Sequence, residues 1–179
     1  MIKLSYKINK YRQQLFETIK NGDAIIEIGC HVGKTTKKII ENFEYCQIIA
    51  IDNSPEAIAP MKKLEKEYEN LTFISGDVRL HEKLLDVYKI KTTCDVLSID
   101  LGGGYHPDTV FKVFYIWSST FTPKNTLIRN KGLLDFCNSS IKTDEDFKST
   151  EGYLDSYNRE GIPPQIKEFD LWTSSLSKK

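Results

Sequence analysis

An apolar run passes into a helix-like segment through Glu27-Ile28-Gly29-Cys30-His31-Val32-Gly33-Lys34-Thr35-Thr36. Glycine lets a backbone turn sharply and lets a ligand approach it closely. Three classes of ligand compete for such a turn. A triphosphate loop needs G-x-x-x-x-G-K-[ST]. Here only three residues separate Gly29 from Gly33, and residue 28 is Ile28, so the cradle is one residue short. A dinucleotide fingerprint needs glycine where His31 stands, and Glu27 would face an incoming pyrophosphate. A cationic ligand, in contrast, gains from an acid two residues before the first glycine.

Further acids follow later apolar runs. Asp52 ends Gln47 to Ile51 and leads into Asn53 and Ser54, placed to accept hydrogen bonds from ribose hydroxyls. Gly76-Asp77-Val78 follows Leu71 to Ser75, where Asp77 can reach an adenine amino group. Asp100 ends Asp95 to Ile99 and precedes Leu101. In open α/β sheets ligands bind at the carboxyl ends of the strands. Acids at consecutive strand ends on one rim fit S-adenosylmethionine, which carries a sulfonium and an ammonium.

The elements that would position these residues are read from hydrophobic spacing. Ile8, Tyr11, Leu15, Phe16 and Ile19 recur at helical spacing, ending at Asn21-Gly22. Strands are expected at Ala24 to Ile28, Gln47 to Ile51, Leu71 to Ser75, Asp95 to Ile99 and Thr126 to Arg129. Helices are expected at Thr35 to Phe43, from Pro55 to about Tyr68, at His81 to Tyr88 and at Pro107 to Thr120. Ser54 reads as an N-cap with Pro55 at the first helical position. The strands are apolar throughout, as strands covered on both faces are. The expectation is α/β, a three-layer Rossmann-like fold with a largely parallel central sheet. From Asn138 the composition turns polar. Lys142 to Thr150 reads as a charged loop or disordered stretch, and Gly161-Ile162-Pro163-Pro164 as a turn. Phe169 to Leu176 reads as a final strand or a packed tail.

Ile26-Glu27-Ile28-Gly29 through Gly33, Ala50-Ile51-Asp52-Asn53-Ser54, Gly76-Asp77-Val78 and Asp95-Val96-Leu97-Ser98-Ile99-Asp100 together resemble the class I S-adenosylmethionine-dependent methyltransferase family. The resemblance covers roughly residues 22–130. It implies one methyltransferase domain over residues 1–179, with its core at about 22–137 and a polar C-terminal segment at 138–179. It implies S-adenosylmethionine as cofactor. Glu27, Gly29, Cys30, His31, Gly33 and Thr35 would surround the methionine part. Asp52, Asn53 and Ser54 would hold the ribose, and Gly76, Asp77 and Val78 the adenine, with Asp100 and Leu101 beside them. The family often has glycine where His31 stands.

The methyl acceptor then belongs near Asp100 and the loop Leu101-Gly102-Gly103-Gly104-Tyr105-His106-Pro107-Asp108. Three glycines make a tight turn or a flexible connector. Tyr105 and His106 are candidates for contacting the acceptor or taking its proton, since histidine titrates near neutrality. His106 could equally cap the helix that Pro107 opens. Asp100, the Pro-Asp-Thr helix start and Arg129-Asn130 resemble the layout of catechol-type, metal-dependent O-methyltransferases. Asp100 and Asn130 match that branch's metal ligands. Arg129 stands where its second carboxylate belongs, and a guanidinium cannot ligate a metal. No metal is therefore expected. Arg129 instead contacts an anionic group on the acceptor or forms a buried salt bridge.

Bulk properties narrow the setting. The 179 residues suit a single domain. Lysine and arginine balance aspartate and glutamate at 25 each, so there is no strong nucleic-acid signature. The clusters Lys34, Lys37, Lys38 and Lys62, Lys63, Lys66 read as solvated helix faces. Cys30, Cys46, Cys94 and Cys137 lack metal or redox spacing and suit reduced thiols, which favours a cytoplasmic setting. No signal peptide is apparent, and no apolar run approaches the roughly 20 residues that span a bilayer. The acceptor, small molecule or macromolecule, stays unidentified. An open pocket, roofed by the first helix or by the tail with Tyr153, Tyr157 and Trp172, suits a macromolecule or a lid from a second subunit in a homodimer. The alternative to an enzyme is a non-catalytic S-adenosylmethionine-binding protein or partner subunit.

Overall fold

The computed structural model describes residues 1–103, 106–143 and 148–155. Short apolar runs form strands and the amphipathic segments between them form helices. In chain order these are β1 (Ile2–Ser5), α1 (Ile8–Thr18), β2 (Ala24–Ile28), α2 (Lys34–Asn42), β3 (Gln47–Asp52) and α3 (Pro55–Glu67). They continue with β4 (Leu71–Ser75), α4 (His81–Ile90), β5 (Val96–Ile99), α5 (Pro107–Phe121), β6 (Asn125–Arg129) and α6 (Lys131–Ser139). The six strands form one sheet in the order β1-β6-β5-β2-β3-β4. Every neighbouring pair is parallel.

The apolar strands are explained by their two covered faces. Ile26, Ile28, Ile51, Leu97 and Ile99 pack against Leu84 and Val87 of α4 and Val110, Phe114 and Trp117 of α5. Their sequence neighbours Ile25, Ile48, Ala50 and Val96 face Tyr11 and Leu15 of α1, Ile39 of α2 and Met61 of α3. This is the three-layer arrangement expected from the sequence. No described helix is long and apolar enough to cross a membrane.

Two elements escaped the sequence reading. β1 is a four-residue edge strand in register with β6, Ile2 opposite Thr126 and Ser5 opposite Arg129. It carries the sheet beyond the expected core, which began at about residue 22. α6 buries none of its residues, so it leaves no deep apolar stripe to read. One local expectation also changes. Ser54 occupies the N-cap of α3 but makes no capping hydrogen bond. Its hydroxyl turns to Asp52 instead.

Because all strands run one way, their carboxyl ends share a rim. From β2 the chain winds outward through β3 and β4, then returns to β5 and winds the other way through β6. The switch point therefore lies between β2 and β5, where an open α/β sheet forms its ligand crevice. Here Gly29 has φ +84°, and a Cβ on it would lie 2.0 Å from the backbone oxygen of Asp100. Gly22 has nearly the same φ, +85°, with nothing within 4 Å.

These two glycines separate backbone strain from collision. Gly22→Ala is expected to cost about 1–2 kcal/mol from left-handed strain alone. Gly29→Ala should exceed it by at least about 2 kcal/mol, because backbone atoms must move. Urea unfolding of both variants measures the difference, and equal costs would refute the close approach.

Candidate functional site

A cleft of about 590 Å³ opens over the switch point. Gly29, Cys30 and His31 line it from the β2–α2 turn, and Lys34 and Thr35 from the start of α2. Asp52, Asn53 and Ser54 follow β3. Gly76, Asp77, Val78 and Arg79 follow β4. Asp100, Leu101 and Gly102 follow β5. Almost all the residues singled out in the sequence thus meet in one cavity.

The turn after β2 explains its own residue types. Gly29 and Gly33 are left-handed, as is His31 at φ 48°. Glycine adopts this region without cost, and other residues adopt it uncommonly. A Cβ on Gly33 would also meet Met61 Sδ at 2.5 Å. His31 keeps the turn because its amide is used. It donates to Asp52 Oδ2 at 2.7 Å, and its imidazole Nε2 lies 3.4 Å from Glu56 Oε1.

Asp52 is held by three donors in all. Ser54 N and Ser54 Oγ donate to Oδ1 at 2.8 and 2.5 Å. A carboxylate has about four acceptor positions, so Asp52 is oriented and retains capacity for a ligand hydroxyl. Asp77 differs. Arg79 grips both its oxygens at 2.6–3.1 Å, and Arg79 N adds a bond at 2.9 Å. Burial opposes ionisation of Asp77, but Arg79 outweighs it and holds the carboxyl below its usual range. Val78 is fixed from below, its carbonyl accepting from buried Trp117 Nε1 at 3.0 Å.

Glu27 does not line the cleft. It lies beneath the floor, 4 % exposed, and accepts from Thr36 Oγ1 at 2.6 Å. Burial pushes its carboxyl up to about 7, with the Thr36 hydrogen bond and Arg12 opposing and Asp100 and Asp52 reinforcing. The sequence reading put Glu27 around the methionine part of a ligand. The structure makes it a support for the turn, able to act on a bound cation only through the loop above it.

At the other end of the cleft, Arg129 Nη1 reaches Asp100 at 2.9 and 3.0 Å. The side chains are 22 % and 19 % exposed. Of the two readings for Arg129, the structure shows the salt bridge. Burial still raises Asp100, with Arg129 and Arg12 pulling it back. Gly103 is packed against this pair, since a Cβ there would lie 2.6 Å from the guanidinium. Asn130 is buried and caps α6, its Oδ1 accepting from Leu133 N at 2.9 Å. Arg129 is thus paired with Asp100, and Asn130 Oδ1 serves the cap of α6. Among the described residues no group of three His, Cys, Asp or Glu side chains is placed to hold a metal.

His106 lines the cleft beside Thr109 and Val110. It stands at the N-cap of α5 with φ 53°, but its side chain makes no capping bond. Tyr105 lies outside the described residues, as do Tyr157 and Trp172. Tyr153 does not support the idea of a roof. Its neighbour Gly152 bonds to Pro123 O and Thr126 Oγ1 at the amino end of β6, opposite the cleft. The first helix does contribute a wall, through Ile8 and Arg12. Arg12 went unrecognised in the sequence. Its Nε donates to Thr35 Oγ1 at 3.0 Å, and only the packing of α1 beside β6 brings it there.

A family model described as a methyltransferase domain matches residues 19–115, more than half of the chain. The sterol 24-C-methyltransferase of Saccharomyces cerevisiae is 32 % identical over 83 residues, which is 42 % of this chain and 21 % of that protein. The chain thus spans about a fifth of the length of this curated relative. Among solved structures, a candidate rRNA methylase from Clostridium thermocellum superposes with a TM-score of 0.55 at 16 % identity. That match covers 83 % of this chain and 87 % of that one. A candidate sarcosine dimethylglycine methyltransferase from Galdieria sulphuraria gives 0.51 at 12 % identity, over 67 % and 43 % of the two chains. At such identities the two structures speak for the fold.

The buried Glu27 makes stability depend on pH. Between about pH 4.5 and 7 the folded chain keeps a proton that the unfolded chain has lost. This contribution is fully present below about pH 4.5 and disappears as pH rises through about 7, a loss of about 3 kcal/mol. Glu27→Gln keeps a neutral side chain, so its stability relative to the parent should rise by that amount from pH 4.5 to 8. Urea unfolding of both proteins across this range tests it, and parallel pH profiles would refute it.

Proposed function

The chain belongs to the class I S-adenosylmethionine-dependent methyltransferase family, and from that membership we propose that it moves the methyl group of S-adenosylmethionine to an oxygen or nitrogen acceptor. The observation that carries this reading is the gathering of Asp52, Asp77 and Asp100 around the Gly29 turn in a single cleft. Asp52, whose carboxylate is held by neutral donors, presents its charge to a cationic nucleoside. The donor set fits as well. Asp52 keeps acceptor capacity for a ribose hydroxyl, and glycine at 29 brings backbone close to the ligand.

When bound, S-adenosylmethionine supplies a methyl group on a sulfonium, whose departure leaves a neutral thioether. The residues of the chain orient and screen. Gly29, Cys30, His31, Gly33 and Thr35 surround the methionine part. Asp52, Asn53 and Ser54 hold the ribose. Gly76 and Val78 form the adenine slot, with Asp77 presenting Arg79 there. Asp100 and Leu101 close the side toward the acceptor. Positioning supplies most of the acceleration for such an in-line displacement. His106, exposed at the acceptor end, takes the acceptor's proton where one must leave. Tyr105 and Arg129 flank the acceptor in the same reading.

Residues 1–179 act as one domain in this account. The buried, unbridged thiols of Cys30, Cys46 and Cys94 support a reducing, cytoplasmic setting. An open cleft leaves room for a lid from a second copy.

One observation favours a non-catalytic alternative. Both oxygens of Asp100 are engaged by Arg129, so the carboxylate nearest the acceptor is not free to act as a base. In that case the chain binds S-adenosylmethionine as a sensor or as the partner subunit of another methyltransferase. Radiolabel transfer from S-adenosylmethionine into a cell extract separates the two, because only an enzyme labels an acceptor. Asp52→Ala should weaken cofactor binding by about 1–3 kcal/mol in calorimetric titration. Undiminished affinity would mean that the ribose assignment is wrong.

A further inference from the structure

A second groove of about 560 Å³ adjoins the acceptor end of the cleft and shares Ile8 and Arg129 with it. Tyr6, Lys7 and Lys10 line this groove from the β1–α1 connection and the first turn of α1. Arg129 Nε donates to the carbonyl of Tyr6 at 3.0 Å and fixes the connection. Tyr6 leaves its ring 41 % exposed, with Lys131 Nζ 5.8 Å from the ring centroid. Arg12, one turn along α1 from the shared Ile8, lines the cleft.

The local charge is one-sided. Lys7, Lys10 and Arg129 line the groove, Lys131 reaches the Tyr6 ring beside it, and the first turn of α1 holds no acid. Of the acids nearby, Asp100 is engaged by Arg129 and Glu17 accepts from Gln13 Nε2 at 2.8 Å. Asp108 and Asp135 lie beyond, on α5 and α6. Lys7 and Lys10 form no ion pair among the described residues. Net charge summed over the whole chain, 25 basic against 25 acidic residues, does not show such a local grouping.

We propose that the groove of Tyr6, Lys7 and Lys10, with Lys131 beside the Tyr6 ring, binds a single-stranded nucleic acid and leads one of its nucleotides into the cleft as methyl acceptor. The inference rests on the methyl-transfer reading of that cleft. Cations spaced along a groove follow a phosphate backbone, and an exposed ring gives a base a surface to stack on.

The test uses the full chain and a fluorescein-labelled oligouridylate of about fifteen nucleotides, with oligothymidylate of equal length beside it. Fluorescence anisotropy reads binding against salt. The double variant Lys7→Gln/Lys10→Gln should bind about tenfold more weakly at low salt. Its slope of log affinity against log salt should be shallower by about 1.4, the value for two lost phosphate contacts on a single strand. Tyr6→Ala should weaken binding without changing that slope. Stronger binding of oligouridylate than of oligothymidylate would assign the surface to RNA, and the reverse to DNA. Absence of binding to both, or an affinity untouched by the lysine substitutions, would overturn the proposal. Calorimetry with S-adenosylmethionine on the same proteins should show unchanged cofactor affinity in the lysine variant. If the parent failed to bind S-adenosylmethionine, the methyl-transfer reading would fall instead, whatever the oligonucleotides did.

Discussion

The arrangement depends on how closely the chain leaving β2 can approach the end of β5. Gly29 sits against the backbone of Asp100, and no side chain fits between them. That approach lets the first loop fold over the switch point. It brings the His31 amide to Asp52 on one side and sets the floor beneath Asp100 on the other. Without it the turns after β2, β3 and β5 would end a shared rim without sharing a cavity. The apolar strands, covered on both faces, hold the rim rigid enough for this contact to be kept.

Charge is the second constraint. Four carboxyl groups at neighbouring strand ends repel one another, and each is managed differently. Glu27 is sunk under the floor and tends to keep its proton. Asp52 is satisfied by backbone and hydroxyl donors. Asp77 and Asp100 each take a guanidinium, from Arg79 and Arg129. The acids therefore grade from neutral support to paired wall, and of the three that line the cleft Asp52 is held by neutral donors. A cationic ligand meets the Asp52 carboxylate without displacing an arginine.

Much of this was legible in the sequence. Five of the six strands show as apolar runs, since both of their faces are covered, and glycine and proline mark the turns between them. The order of acids after those runs located the cleft. Other features depend on packing that no local pattern carries. β1 is four residues long and mixes Lys3 and Ser5 with its apolar residues. α6 buries nothing, so its periodicity has no core to report. Arg12 looks like any polar position on an amphipathic helix until α1 is laid beside β6. Whether Arg129 would meet an acceptor or an internal partner could not be decided from spacing, because Asp100 is a neighbour in space and 29 residues distant in sequence.

The central claim is that the cleft over Gly29 holds the cofactor. Amide NMR spectra of the full chain, recorded while S-adenosylhomocysteine is titrated in, address it directly. The account predicts that the amides of His31, Ser54, Arg79 and Leu101 shift together and saturate at one affinity. Saturable shifts confined to the opposite end of the sheet, around Gln47, Asn70 and Lys91, or no shifts at all, would contradict it.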